Sequence, residues 1–192
     1  MKTTFFLIRH GEAEHNMERT MSSFPEKRER HLTTHGREQI ETLAKELKER
    51  QEPVSVIFHS PLARTRETAG ILGRKLGVSL REDARLCETC FGVFNEGTIA
   101  DFHTRYPKKT DRIHTDGLDG VESFEHERTR ADSFVRDAIA EYDGKTIIAV
   151  SHADTIQTLY GVLKRLSLEE TLSFEKGVCP QTGEMIRVEV GG

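Results

Sequence analysis

Four apolar residues run straight into two basic ones in Phe5-Phe6-Leu7-Ile8-Arg9-His10-Gly11, near the start of the sequence. The apolar run predicts a short buried strand that ends where Arg9 begins. Because ligands bind at the carboxyl ends of strands in open α/β sheets, this strand would carry Arg9 and His10 to the usual position of a site. Gly11 lets the backbone pass close to whatever His10 contacts. Taken alone, the Arg-His-Gly tripeptide also fits an ordinary loop.

The composition is typical of an ordinary globular protein. The 192 residues are 35% hydrophobic and 31% charged, which is enough chain to bury one core, and we expect residues 1–192 to form a single domain. No apolar run approaches the roughly 20 residues that span a bilayer, and the run after Lys2 is too short for a signal peptide, so we expect a cytoplasmic protein without membrane contact. The net charge of −4 argues against a broad nucleic-acid surface.

Three cysteines are too few for a complete disulfide framework. Cys87 and Cys90 form the only close pair in the sequence. A structural zinc site needs further ligands at suitable spacing, and a redox pair needs a thioredoxin-like context that the sequence lacks. We therefore expect reduced, packed cysteines and no metal site.

The rest of the sequence alternates strand patterns with helix patterns. Apolar positions three and four residues apart predict helices over 37–51, 61–76, 98–105, 122–142 and 155–164. Short apolar or β-branched runs predict strands over 5–8, 54–58, 78–81 and 146–150, with edge strands over 172–174 and 185–190. Residues 17–31 and 107–120 show neither pattern and are predicted to be loops. The alternation predicts a three-layer α/β/α sandwich with a mostly parallel mixed sheet.

Polar residues follow three of these strands, as Arg9-His10, His59-Ser60 and Ser151-His152. Ser60 and Pro61 are predicted to form the N-cap and first turn of a helix in which Arg64 is unfavourable unless an anion lies nearby. If the three strands lie side by side, two histidines and two arginines meet at one edge of the sheet. Such a cluster is costly unless it binds an anion, and guanidinium groups match phosphate oxygens. A neutral imidazole can then attack phosphorus.

Taken in order, these residues and several others resemble the histidine phosphatase superfamily, in its phosphoglycerate-mutase-like branch. Each matching segment is weak alone, but six in sequence are hard to obtain by chance. They cover almost the whole chain: Arg9-His10-Gly11-Glu12 with Asn16, Leu32-Thr33 with Gly36 and Gln39, Ser60 to Arg64, Leu86 to Gly97 around Glu88, Glu122-Ser123 with Arg130, and Ser151-His152. The resemblance implies a phosphoglycerate-mutase-like fold.

The resemblance implies a role for each clustered group. His10 would be the phosphorylated nucleophile. Arg9, Arg64 and His152 would hold the transferring phosphoryl group and would therefore serve both catalysis and substrate binding. Asn16 would be a further phosphate contact, and no metal or organic cofactor is implied.

The proton transfers are also assigned by this resemblance. Glu88 matches the family's acidic residue, which would protonate the leaving oxygen and later deprotonate water, a contribution of typically 10²–10⁴-fold in rate. Ala153 stands where the family usually has glycine, so its backbone contact with the substrate would be altered. Asp154 lies one residue from the proton-donating position of the acid-phosphatase branch and ranks behind Glu88. The segment 91–97 is one residue longer than the family pattern.

Hydrolysis is the reaction that the resemblance favours. Mutases of this family are longer and carry extra segments that exclude water, so we expect a phosphatase acting on phosphorylated small molecules. A phosphoglycerate mutase and a phospho-ligand-binding module without turnover are the alternatives, although a binding module has no use for a nucleophile. The sequence leaves open whether the protein forms a homodimer.

A small cap region is expected at about residues 98–121, beside the site. Its side chains would select a second anionic group on the substrate, or would belong to a solvated charged loop. These side chains are His103, Arg105, Tyr106, Lys108, Lys109 and His114.

Overall fold

The computed structural model describes residues 2–114, 119–173 and 175–191. Within these ranges, five strands form one sheet: β1 Thr3–Arg9, β2 Val54–His59, β3 Leu80–Glu82, β4 Thr146–Ser151 and β5 Met185–Val190. Their order across the sheet is β3-β2-β4-β1-β5. The first four strands run parallel, and β5 runs antiparallel to β1 at the edge.

Helices cover both faces of the sheet because neighbouring residues of a strand point to opposite sides. Phe6 and Ile8 of β1 pack with one group of helices, and Phe5 and Leu7 pack with the other. The first group is α2 Thr34–Glu49 and α3 Ala63–Leu76; the second is α5 Phe124–Glu141 and α6 Ala153–Leu163. The predicted three-layer sandwich with a mostly parallel mixed sheet is therefore confirmed. No helix in the described ranges is long and apolar enough to cross a membrane.

The register of the central strands brings their carboxyl ends level. β4 lies between β1 and β2, with Arg9 paired to Ser151 and His59 paired to Val150. All of the hydrophobic side chains of β4 are buried, in keeping with a strand that is covered on both faces. The residues that follow β1, β2 and β4 consequently meet at one edge of the sheet.

The beginning of α3 differs from the sequence prediction. Ser60 and Pro61 precede the helix, which begins at Ala63 with Leu62 in the N-cap position. The buried Ser60 Oγ accepts a hydrogen bond from the Leu62 backbone N–H (3.3 Å) and lies 2.9 Å from His152 Nε2. The serine therefore serves a contact between strand ends, which local helix signals do not reveal.

The predicted edge strand over 172–174 is wrong for Leu172, which ends the short helix α7 Leu168–Leu172. Ser167 Oγ accepts a hydrogen bond from the Glu170 N–H (3.1 Å), and Glu170 Oε2 accepts one from the Ser167 N–H (2.9 Å). This reciprocal cap, written in the sequence as Ser-x-x-Glu, outweighs the local strand pattern. Phe174 lies outside the described residues.

Other element bounds shift by a few residues. A short helix, α1 Glu14–Glu18, overlaps the predicted loop 17–31, and β3 lies two residues later than predicted at its start. α2 begins at Thr34 because Thr33 Oγ1 accepts a hydrogen bond from the Gly36 N–H (2.9 Å). The predicted helix over 98–105 is α4 Ile99–Arg105. In the predicted loop 107–120, residues 109–112 form a 3₁₀ turn, and residues 115–118 lie outside the described ranges.

Two glycines let the backbone after β1 touch the start of α2. A Cβ atom on Gly36 would lie 2.0 Å from the Glu12 carbonyl oxygen, and one on Gly11 would lie 2.4 Å from the Gly36 carbonyl oxygen. Neither contact leaves room for a methyl group unless the backbone moves. The loop that follows His10 is therefore fixed against a helix rather than left free.

Gly36→Ala should lower the free energy of unfolding by about 2 kcal/mol or more, since the new methyl group must displace the backbone of Glu12. Chemical denaturation of the purified variant measures the loss. Gly70→Ala is the matched control: its Cβ would meet only the flexible end of Arg74 at 3.4 Å. That change should be neutral or stabilising by up to about 1 kcal/mol. Equal effects at the two positions would contradict the close approach.

Candidate active site

His10 lies directly after β1 and is buried. Its Nδ1–H donates a hydrogen bond to the Gly11 carbonyl oxygen at 2.7 Å. This bond places the proton of the neutral ring on Nδ1 and leaves the lone pair on Nε2. The ring centroid lies 5.2 Å from that of His152 and 5.5 Å from that of His15.

His152 occupies the N-cap position of α6, immediately after β4. Its Nε2 hydrogen-bonds Ser60 Oγ, which comes from the residue after β2. Its Nδ1 is buried and has no hydrogen-bond partner among the described residues. The site therefore joins the ends of three strands, as the sequence predicts. His59, at the end of β2, is buried and donates from Nδ1 to the Ser60 carbonyl oxygen at 2.8 Å.

The imidazole rings of His10, His15 and His152 are held in the neutral form. Burial, then the positive charge of Arg64, lowers the pKa of His10 and of His152 well below the ordinary value. The same two causes lower the pKa of His15 to about 2. Arg9 acts on each ring in the same direction. At neutral pH these imidazoles carry lone pairs and no charge.

Arg64 is completely buried in the first turn of α3. Its Nη1 forms an ion pair with Glu26 and donates to Ser22 Oγ at 3.1 Å, and its Nη2 donates to the Ser22 carbonyl oxygen at 2.9 Å. Burial lowers the pKa of Arg64, although Glu26 opposes this. Arg9, from the end of β1, donates to the Pro180 carbonyl oxygen at 2.9 Å. In both arginines Nε has no hydrogen-bond partner among the described residues.

Two carboxyl groups near the site have pKa values that are shifted in opposite directions. Burial and the negative charge of Asp154 raise the pKa of Glu88, whose Oε1 accepts a hydrogen bond from the Thr89 N–H at 3.1 Å. Burial would also disfavour the ionised form of Asp154, but Lys109 Nζ (2.7 Å) and Arg112 Nη2 (2.5 Å) hold its pKa well below the ordinary value. Glu88 is therefore the carboxyl group that retains a proton more readily.

Asn16 and Ala153 both line a cavity beside these groups. Asn16 Oδ1 accepts a hydrogen bond from the Ala13 N–H (2.9 Å), and its Nδ2 donates to His15 Nε2 (3.1 Å). Ala153 is the first residue of α6, so its backbone N–H belongs to the open end of that helix. Asn16 thus holds the turn and the His15 ring as well as facing the cavity.

The cavity has a volume of about 730 Å³. Arg9, His15 and Glu88 lie on its wall. Four of the six expected cap-region side chains also lie there: His103, Tyr106, Lys108 and Lys109. The other two lie elsewhere, with Arg105 paired to Asp119 (3.6 Å) and His114 paired to Glu125 (2.7 Å).

Several contacts at the site were not predicted from the sequence. The loop that holds Arg64 is clasped by Asn95, whose Nδ2 donates to the carbonyl oxygens of Ser23 (3.2 Å) and Pro25 (2.9 Å). Asn95 Oδ1 accepts from the Ser23 N–H at 2.9 Å. Glu96 pairs with the buried Arg30. These partners are about 70 positions apart in the sequence, and no periodicity marks such contacts.

A buried carboxyl group supports the segment that carries Glu88. Glu127 is completely buried on α5, and its Oε2 accepts a hydrogen bond from Thr89 Oγ1 at 2.7 Å. Arg130 lies 3.6 Å from Glu127 and forms two hydrogen bonds with Glu122 (2.9 and 3.0 Å). Burial raises the pKa of Glu127 to about 7, against the effect of Arg130. Glu127 is thus largely protonated in mildly acidic solution.

The three cysteines are free. Cys87 is half-buried, and burial raises the pKa of its thiol. In the ranges that the structure describes, no three His, Cys, Asp or Glu side chains are grouped so as to hold a metal ion.

Comparisons with known proteins give consistent results. A model of the histidine phosphatase superfamily (branch 1) matches residues 5–188. The chain is 25% identical over 172 residues to phosphoserine phosphatase 1 of Hydrogenobacter thermophilus, covering 88% of this chain and 79% of that protein. It is 30% identical over 178 residues to the bifunctional protein Rv2228c of Mycobacterium tuberculosis, covering 87% of this chain but about half (48%) of that protein. The solved structure of Bacillus stearothermophilus YhfR matches with a TM-score of 0.82 at 25% identity, covering 99% of this chain and 92% of that one.

Glu127→Gln should make the free energy of unfolding less dependent on pH. The raised pKa of Glu127 means that the folded state holds this proton more tightly than the unfolded chain, so wild-type stability falls as pH rises from about 4.5 to 7. The difference in free energy of unfolding between the variant and wild type should therefore shift by about 2 kcal/mol in favour of the variant between pH 5 and pH 8.

Urea denaturation at both pH values measures this difference. Glu46→Gln, an exposed position on α2, is the matched control and should show no such gain. A stability difference between Glu127→Gln and wild type that is the same at both pH values would contradict the raised pKa.

Proposed function

Because the chain belongs to the histidine phosphatase superfamily (branch 1), we propose that it hydrolyses phosphomonoesters of small molecules through a phosphohistidine intermediate. One observation carries the proposal: His10 is a buried, neutral imidazole whose Nδ1–H donates a hydrogen bond to the Gly11 carbonyl oxygen. The lone pair is therefore on Nε2, which can act as a nucleophile. The phosphatase name of the related protein from Hydrogenobacter thermophilus favours the same reaction.

In the first step, His10 Nε2 attacks phosphorus, a P–N bond forms, and the bond from phosphorus to the ester oxygen breaks. Arg9, Arg64 and His152 hold the transferring phosphoryl group and neutralise its negative charge. The unpartnered Nε–H groups of both arginines are available for its oxygens. Asn16 adds a side-chain contact, and the backbone N–H of Ala153 adds one from the start of α6.

Glu88 supplies the proton for the leaving oxygen. Its raised pKa keeps the carboxyl group protonated to a higher pH than an ordinary glutamate, so the alcohol departs without forming an alkoxide. In the second step the Glu88 carboxylate takes a proton from water, the water oxygen attacks phosphorus, and the P–N bond breaks. Inorganic phosphate and the free His10 imidazole result, with Glu88 protonated again.

The cap region at about residues 98–121 belongs to this proposal as the wall that receives the rest of the substrate. Asp154 connects it to the phosphoryl site, because its carboxylate contacts Lys109 and Arg112 of the 3₁₀ turn. We assign Asp154 this anchoring role and assign the proton transfers to Glu88.

His10→Ala should reduce phosphate release from 4-nitrophenyl phosphate by about 1,000-fold or more, because it removes the atom that accepts the phosphoryl group. His35→Ala, an exposed histidine on α2, is the control and should keep wild-type turnover. Circular dichroism checks that both variants fold. Retained turnover in the His10 variant would refute the nucleophile, and isomerisation of a phosphoglycerate in place of phosphate release would establish the mutase alternative.

Glu88→Gln should slow hydrolysis of an alkyl phosphate by about 10²-fold or more while slowing 4-nitrophenyl phosphate much less, since nitrophenolate leaves without a proton. Asp154→Asn should show no such dependence on the leaving group when the rates are compared at a pH low enough for Glu88 to stay protonated in both proteins. It should instead lower the pKa of Glu88, so that kcat for the alkyl ester declines at lower pH than in wild type. A leaving-group dependence that follows Asp154 rather than Glu88 would reverse the two roles.

A further inference from the structure

We infer that the cavity beside Glu88 receives a bulky, uncharged leaving group that contains a flat ring, rather than a short chain with a second anionic group. This inference rests on the proposed function and names the substrate class for that site. It is carried by the size of the cavity, by the aromatic part of its wall, and by the ion pairs of Lys109 and Arg112 with Asp154.

The size of the cavity exceeds the needs of a small phosphorylated acid. Arg9, Asn16 and Ala153 of the proposed phosphoryl site lie on its wall, so one end of the volume of about 730 Å³ takes the phosphoryl group and the rest is available to the attached group. Pockets of about 300–1,000 Å³ enclose ligands of drug-like size. Glu88 lies on this wall, so a leaving oxygen within its reach places the attached group in the cavity.

Aromatic rings form one side of the cavity. Phe91, Phe102 and Tyr106 all lie on its wall, with the ring of Phe102 5.1 Å from Phe91 and 5.4 Å from Tyr106. Leu172 and Val178 contribute apolar surface from a distant part of the chain. A flat apolar group between these surfaces removes hydrophobic area from water and meets the rings in stacked or edge-on geometry.

Two cations of the wall, the half-buried Lys109 and the buried Arg112, are paired with Asp154, while Arg112 Nη1 has no hydrogen-bond partner among the described residues. Asp154 lies between Lys109 and Arg112, and Lys109 Nζ also donates to Gln157 Oε1 at 2.5 Å. The Arg112 guanidinium lies 4.4 Å from the centre of the Phe124 ring and 5.2 Å from that of Phe102. A second anion bound to these cations would lie beside the ionised Asp154 carboxylate, and two negative charges brought together in a largely buried place repel each other.

Apart from Arg9 and His15, which belong to the proposed phosphoryl site, the other basic side chains of the wall are Lys108 and His103, and both are exposed. Exposed charges attract an anion weakly because water and salt screen them. Outside the proposed phosphoryl site, the wall therefore offers a largely apolar surface and two exposed basic side chains. Of the two hypotheses for the cap-region side chains, this arrangement disfavours selection of a second anionic group.

The test compares three primary alkyl phosphates whose ester oxygens are chemically similar: 2-(1-naphthyl)ethyl phosphate, ethyl phosphate and 2-carboxyethyl phosphate. The purified full chain should hydrolyse the naphthyl ester with a kcat/KM at least tenfold above that of either other ester. An equal or higher kcat/KM for the carboxyethyl ester would overturn the inference.

Two variants localise the effect. Phe102→Leu removes the central ring, and Ile99→Ala trims a half-buried wall position and serves if the first variant fails to fold. In either variant, the ratio of kcat/KM for the naphthyl ester to that for ethyl phosphate should fall at least threefold. Val93→Ala, at an exposed position off the cavity wall, should leave that ratio unchanged. An unchanged ratio in the wall variants would overturn the inference.

Failure of the inference and failure of the proposed function give different results. If no ester releases phosphate, 4-nitrophenyl phosphate included, the proposed function itself is wrong. If 4-nitrophenyl phosphate is hydrolysed but the three alkyl esters rank otherwise, only the assignment of the leaving group is wrong.

Discussion

The guanidinium group of Arg64 is completely enclosed, and its positive charge adds to burial in lowering the pKa of His10, His15 and His152. Enclosing such a charge is unfavourable unless it is paired, and Glu26 and Ser22 pair it on one side only. The Nε–H groups of Arg64 and Arg9 have no hydrogen-bond partner among the described residues, and in the proposed function they bind the phosphoryl group. Burial and, after it, the charge of Arg64 keep His10 neutral, which is the form that the proposed nucleophile requires. In this proposal one buried charge acts both on anion binding and on the protonation of His10.

The carboxyl groups around the site differ in the direction in which their pKa values are shifted. Asp154 and Glu122 are held ionised against burial, by Lys109 and Arg112 in the first case and by Arg130 in the second. Glu88 and Glu127 have raised pKa values because burial dominates. Pairs of carboxyl groups whose environments push their pKa values apart are a general way to fix an acid at neutral pH. In the proposed function, these opposite shifts distinguish Asp154 as the anchor of the cap from Glu88 as the acid.

The sheet and the strand-end residues could be predicted from the sequence because their signals are local. The apolar run before Arg9 and the spacing of apolar residues in α2 and α5 each lie within a short segment. The pairing of Arg64 with Glu26 and the clasp by Asn95 could not be predicted, because they join segments dozens of residues apart. Ser60 shows the limit most clearly, since its position before a helix favours a cap while the fold uses it to contact His152.

The contact of Asp154 with the 3₁₀ turn limits which sequences the cap region can take. Asp154 lies in the first turn of α6, two residues after His152, so its contact with Arg112 joins the segment that lines the cavity to the helix that His152 caps. A foreign segment grafted in place of residues 98–113 would need to bring its own cation to this carboxylate. Without one, the helix would begin with a buried, unmatched negative charge. Variation of the cap sequence is therefore constrained at this contact.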